Sequence, residues 1–160
     1  MLCLPARAFG FPADVANVCF SPYGGCTRLI VHEINHAQKE IRVLAYDFTS
    51  VPIGKALIRA KRRGVSVEVV MDRPGALNEY SEVPYLTRVG IPVYADSHEM
   101  MQHNKVMIID GETVITGSFN FTKAAEYDNA ENLLIIKSPE LARKYLENWR
   151  LHAGHSRRMQ

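Results

Sequence analysis

The chain has 160 residues, 47% of them hydrophobic and 22% charged, with a formal net charge of +2. That length implies one domain able to bury a proper core, and the composition argues against a disordered or low-complexity chain. The mild charge gives no global signal for nucleic acid, so any basic footprint is local. No apolar run is long enough to cross a bilayer, which argues against stable membrane insertion.

Residues 1–15 read as an N-terminal extension. Met1-Leu2-Cys3-Leu4-Pro5-Ala6-Arg7-Ala8 ends in Ala-x-Ala, the form of a signal-peptide cleavage site, but its apolar part is short and no basic run precedes it. A loose terminus is the favoured reading and implies a cytoplasmic protein. The remnant of a longer signal sequence is the alternative and implies a periplasmic or secreted one. Cys3, Cys19 and Cys26 form no Cys-x2-Cys pair, so zinc held by cysteines is not expected. Buried thiols are the favoured state, and a Cys19–Cys26 disulfide that leaves Cys3 free is the alternative.

Ala16 to Phe20 predicts a short strand, and Ser21-Pro22-Tyr23-Gly24-Gly25 a turn. A helix follows from about Thr27 to Lys39, with Leu29, Ile30, Ile34 and Ala37 on its apolar side. Ile41 to Tyr46 reads as a strand. Pro52 suits the first turn of a helix running to Arg63, which Gly64 ends. Val65 to Met71 is rich in β-branched residues and reads as a strand; Asp72-Arg73-Pro74-Gly75 reads as a loop. A short helix from about Ser81 to Val89 and a strand from Ile91 to Ala95 come next. Lys105–Asp110 and Thr113–Thr116 are neighbouring strands joined through Gly111.

Glu131 to Lys137 is a further strand. Ser138, Pro139 and Glu140 then look like an N-cap, a first-turn proline and a first-turn acid, opening a helix that turns Leu141, Tyr145, Leu146 and Trp149 inward. Residues 153–160 read as a frayed polar tail, with phosphate binding by Arg157 and Arg158 as the sharper alternative. Strands alternating with helices predict an α/β fold, a mixed β-sheet flanked by helices on both faces, as one domain over residues 16–152.

The densest chemical signal is His103-Asn104-Lys105 with Asp110 five residues on, the pattern H-x-K-x4-D, which arises by chance about once in a hundred chains of this composition. On a strand, residues two apart share a face, so His103 would stand beside the fixed charge of Lys105. Such a pair suits attack on a phosphodiester, whose anionic oxygens need neutralising as phosphorus is approached. Asp110 would face the other way, about 16 Å from Lys105, and reads as structural.

The flanking residues extend the pattern. Gln102 to Asp110, then Thr116-Gly117-Ser118-Phe119-Asn120-Phe121-Thr122-Lys123-Ala124-Ala125-Glu126, then Glu131-Asn132 opening an apolar run, resemble the phospholipase D superfamily and its small bacterial endonucleases. Ala45 to Thr49 and Ala60 to Val65 share the resemblance, which covers Ser21 to Trp149. It implies an α-β-α sandwich and phosphodiester hydrolysis with no cofactor and no metal. His103 is implied as nucleophile, passing through a phosphohistidine. Lys105 and Asn120 would hold the non-bridging oxygens, Glu131 would orient an imidazole, and Ser118 would bridge to phosphate or imidazole. Gly117, like Asp110, belongs to the motif as a structural residue. One histidine cannot be nucleophile and acid at once, and the chain carries one copy of the motif, so a two-fold homodimer with a composite site is expected.

Tyr46, Phe48 and Phe121 are candidate stacking contacts for a base or sugar, with core packing equally open. His32 and His36 have a metal-binding spacing on a helix but no evident third ligand, so a solvated face is favoured. His98 and Glu99 read as loop residues or lining of the site's entrance. Lys61, Arg62 and Arg63 suit a helix C-terminus, with phosphate contact as the minor reading. Three functions remain in play: a nuclease acting on DNA or RNA, a phospholipid hydrolase using the same residues, and a silent nucleic-acid-binding module. The intact His103, Lys105, Asn120 and Glu131 disfavour the last.

Overall fold

Alternation of side chains along the central strands divides the molecule into two unequal cores. In the computed structural model, which describes residues 13–160, the chain runs β1 (Asp14–Ser21), α1 (Cys26–His36), β2 (Glu40–Ala45), α2 (Val51–Arg62), β3 (Ser66–Asp72), α3 (Arg73–Ala76), α4 (Val83–Arg88), β4 (Val93–Asp96), β5 (Lys105–Ile109), β6 (Thr113–Gly117), α5 (Lys123–Tyr127), β7 (Glu131–Lys137), α6 (Pro139–His155) and β8 (Arg157–Arg158). Ile41, Val43, Val67, Val69, Met107 and Ile109 point to one face and pack with Ile30 and Ile34 of α1, Ile53 and Leu57 of α2 and Leu86 of α4. Their strand neighbours Leu44, Val70, Val106 and Ile108 point to the other face, where α6 covers them with Ala142 and Trp149. The Trp149 indole N–H, buried with its ring, donates to the Val43 carbonyl at 3.0 Å.

The eight strands form one mixed sheet in the order β1-β7-β6-β5-β2-β3-β4-β8. The pairs β2–β3 and β3–β4 are parallel, and the other neighbours are antiparallel. This is the expected α/β architecture, with helices on both faces.

Several local expectations need correcting. Residues 72–75 are not a loop: Asp72 closes β3 and Arg73–Ala76 form a helical turn with Pro74 in a position that needs no N–H. The residues read as a frayed tail are ordered into the fold. The helix α6 reaches His155, and Arg157 and Arg158 pair with Ala95 and Tyr94 on β4. A two-residue strand is too short to show a period, so nothing in its sequence announces it. Cys19 and Cys26 are joined in a disulfide, not held as thiols. Cys3 and the Ala-x-Ala stretch lie outside the described residues.

Asp110 lies just past the end of β5 that is remote from Lys105. It takes a left-handed backbone, φ 56°, in the turn after β5. Its Oδ1 accepts the N–H groups of Lys39 and Glu40 at 2.7 and 3.0 Å, and its Oδ2 accepts that of Gln38 at 2.9 Å. The β5–β6 turn is thereby tied to the start of β2.

Candidate active site

The strand directions bring the motif residues to one edge of the sheet. The parallel strands β2 and β3 end there with Ala45 and Asp72. The strand β5, antiparallel to β2, starts there, with Lys105 opposite Ala45. At the same edge β6 ends in Gly117, opposite Leu133, and β7 starts with Glu131, opposite Ser21. Loops at the carboxyl ends of parallel strands are where open α/β sheets bind ligands.

Lys105 is the buried member of the pair, with 7% of its surface exposed. Its Nζ donates to the His103 carbonyl at 2.7 Å and lies 4.9 Å from the Tyr46 ring centroid. Burial pulls its ammonium below the ordinary lysine range; the charges of Asp47, Glu131 and Asp72 oppose that pull without cancelling it. The result is a partly desolvated cation, which interacts more strongly with a phosphate than one fully in water.

His103 is exposed and sits on the loop before β5, not on the strand. The shared-face argument therefore does not describe this pair; Lys105 reaches back to the loop through its own chain length. The imidazole packs near Tyr46, centroids 4.6 Å apart, and its ring nitrogens make no hydrogen bond among the described residues. The loop is held from beneath by Gln102, 2% exposed. Gln102 N donates to Asp72 Oδ1 at 2.9 Å and its Nε2 donates to Asp96 Oδ2 at 3.3 Å. Its Oε1 accepts from Asn104 Nδ2 at 2.6 Å and Asn104 N at 3.2 Å. Sequence reasoning assigned Gln102 no role beyond the resemblance.

After β6 the chain turns at Gly117, φ 148°, where a Cβ would strike the Asn132 carbonyl, so only glycine fits. Ser118 N and Phe119 N donate to that same carbonyl at 3.1 and 3.3 Å, and Ser118 Oγ accepts from Asn132 N at 3.0 Å. The hydroxyl proton of Ser118 stays available for an acceptor. Asn120 follows, anchored between the buried rings of Phe119 and Phe121, and its buried Oδ1 has no hydrogen-bond partner among the described residues. An orphaned buried acceptor is uncommon in a folded protein and marks Asn120 as a polar group that the fold itself leaves unsatisfied.

Glu131 Oε1 accepts from Asn129 Nδ2 at 3.1 Å, and the carboxylate acts on Lys105 through its field. It makes no hydrogen bond to His103 of its own chain. Tyr46 is half-buried beside His103, but Phe48 and Phe121 are 0% and 1% exposed and pack edge to face at 5.9 Å. These two rings belong to the core and offer no stacking face to a base or sugar. Glu126 has a role that its sequence position did not reveal. Its carboxylate accepts from Gly25 N and Thr27 N, both at 2.7 Å, and so caps α1.

The chain matches the family model described as cardiolipin synthase, PLD-like domain, over residues 30–150. It is similar to the Salmonella typhimurium protein Nuc, a phospholipase D family member of solved structure. The identity is 41%, the TM-score 0.87, and the match covers 92% of this chain and 99% of that one. It is 45% identical over 133 residues to "Phospholipase D" of Rickettsia felis, covering 83% of this chain and 66% of the relative. Against "Mitochondrial cardiolipin hydrolase" of Danio rerio the identity is 31%, with 82% of this chain and 59% of the relative covered. The chain thus spans two thirds or less of the curated relatives it matches. A family model covering most of the sequence and a close structural likeness to Nuc agree with the His103–Lys105 edge: the chain belongs to the phospholipase D superfamily, as a small Nuc-like member of this family of phosphodiester hydrolases.

Proposed function

We propose that the protein is an endonuclease that hydrolyses DNA, and RNA in second place, through a phosphohistidine at a composite site shared by two copies of the chain, with no metal at the scissile phosphate. The carrying observation is His103: an exposed imidazole with no hydrogen bond to its ring nitrogens among the described residues, beside the desolvated cation of Lys105. Among the described residues of one protomer the nucleophile has neither an orienting carboxylate nor an acid partner. Both are supplied if a two-fold axis sets two such edges face to face.

In that arrangement one His103 attacks phosphorus and forms the N–P bond. His103 of the partner subunit protonates the oxygen that leaves as the P–O bond breaks. Water then attacks the phosphohistidine while the second imidazole takes its proton, and both histidines return to their starting states. Lys105, the Asn120 amide and Ser118 hold the non-bridging oxygens. Glu131 orients an imidazole across the axis, as the third group of a catalytic triad does.

The test is cleavage of single-stranded and duplex DNA by purified protein in excess EDTA, with the His103→Ala variant alongside. Cutting that persists in EDTA and vanishes in the variant supports the reading; cutting that requires an added divalent ion sinks it. Mixed wild-type and His103→Ala dimers should lose activity, and full activity in the heterodimer would refute the shared site. A second reading, phospholipid hydrolysis, is favoured by the names of the Rickettsia felis and Danio rerio relatives. Release of headgroup from phosphatidyl vesicles by a preparation that leaves DNA uncut would establish it.

A further inference from the structure

At the opposite edge of the sheet from β1, four side chains that no part of the proposed chemistry uses converge on one point. They are Asp96 at the end of β4, Glu99 on the following loop, and His152 and His155 on the last turn of α6. One donor atom from each lies within 4.8 Å of all the others. His152 Nδ1 is 2.9 Å from Asp96 Oδ2 and 3.6 Å from Glu99 Oε2; His155 Nε2 is 3.3 and 3.6 Å from the same two oxygens. A tetrahedral ion with bonds of about 2.0–2.1 Å has edges of roughly 3.4 Å between its ligands. The four histidine–carboxylate separations bracket that edge, and the remaining ones are no longer than 4.8 Å.

We propose that Asp96, Glu99, His152 and His155 bind one divalent transition-metal ion of the zinc class, which fastens the end of α6 to the loop leading into His103.

The donor set is two imidazoles and two carboxylate oxygens, which suits zinc; calcium and magnesium take oxygen ligands. Asp96 is 2% exposed. A divalent ion at the centre of the four donors would neutralise both carboxylates at once. Outer support is already built: His98 N donates to Asp96 Oδ1 at 3.0 Å, Gln102 Nε2 to Asp96 Oδ2, and the His98 ring stacks on His155 at 4.5 Å.

The position explains the need. Directly after His155 the chain forms β8, which holds β4 by only two paired residues and one further bond, Met159 N to Val93 O. So thin a ladder is a weak anchor for a chain end, and the cluster lies at its root. Both histidines fall outside residues 30–150, the span of the family model. The other histidine pair, His32 and His36, lacks such convergence: His36 Nδ1 is taken by the His32 carbonyl at 2.8 Å.

The proposal concerns structure and not the phosphate, so it stands apart from the catalytic reading. Zinc(II) would be titrated calorimetrically into the chelator-treated full chain, with melting temperature followed in parallel. One ion per chain and a higher melting temperature are expected. His155→Ala and Glu99→Gln should each weaken binding about tenfold or more, while His32→Ala/His36→Ala leaves it unchanged. No binding by the wild type, binding intact in His155→Ala, or binding lost only with His32 and His36 would overturn the site. If the variants fail to fold, amide exchange of the wild type decides: zinc should protect residues 150–159, and unchanged exchange there refutes the proposal.

Discussion

The two ends of β5 handle polar groups in opposite ways. At the Asp110 end both carboxylate oxygens are engaged, and between them they take three backbone N–H groups. At the Lys105 end the groups are left wanting. The ammonium is desolvated, and among the described residues the exposed His103 has both ring nitrogens free of hydrogen bonds and the buried Asn120 oxygen has no partner. One short motif thus contains two kinds of residue. Saturated polar groups hold a fold together, and unsaturated ones keep their free energy for a ligand. The fifth residue past Lys105 belongs to the scaffold although it is written in the same pattern.

The comparison breaks most sharply if the two ends respond alike to mutation. His103→Ala should lower DNA cleavage by at least about 10³-fold, because it removes the nucleophile. It should leave the unfolding midpoint nearly where it was, since the ring is exposed and its packing contact is with the half-buried Tyr46. A destabilised His103→Ala would mean that this end is scaffold too. Asp110→Ala should do the reverse, costing about 2 kcal/mol of stability through three lost bonds to a charged acceptor, reduced by solvent exposure. Activity per folded molecule should stay near wild type. Asp110→Asn should fall between them. An amide oxygen can still serve Lys39 and Glu40, and asparagine tolerates the positive φ. Urea unfolding beside single-turnover cleavage reads all three, and an Asp110→Asn as damaging as alanine would count against the bonding scheme.

The same division explains how much was legible in the sequence. The strand β7 runs from Glu131 to Lys137, as its apolar run between polar ends predicts, and the Ser138 cap accepts from Leu141 N as its place before Pro139 suggests. Signals of that kind are local. Lys105, Gly117, Ser118, Asn120 and Glu131 do meet at one edge, because short spacings in consecutive strands leave them little choice. Residues whose partners are remote stayed hidden. Glu126 reaches Gly25 and Thr27 about a hundred positions away, and Gln102 reaches Asp72 across 30. His152 and Asp96 are 56 apart and meet where α6 packs beside β4. The loop position of His103 was missed for a different reason. A strand-like spacing continues past the point where backbone pairing stops, and side-chain alternation says nothing about where that is.

A gentler prediction follows from the Lys105 end alone. Because burial lowers its pKa, the ammonium that neutralises phosphate is lost at a lower pH than an ordinary lysine with pKa about 10.4 would lose it. Cleavage should therefore decline on the alkaline side before that range is reached. Unfolding does not mimic this limb. Between the lowered folded pKa and the ordinary unfolded one, the unfolded chain binds more protons, so this group makes the fold more stable as pH rises. Lys105→Arg retains its charge to far higher pH and should remove the alkaline decline, even if its bulk lowers the rate at every pH. A kcat/KM profile on both proteins decides the matter. If wild type and Lys105→Arg fall off together, the limb belongs to another group, and the desolvated lysine is not the feature that separates the two ends of β5.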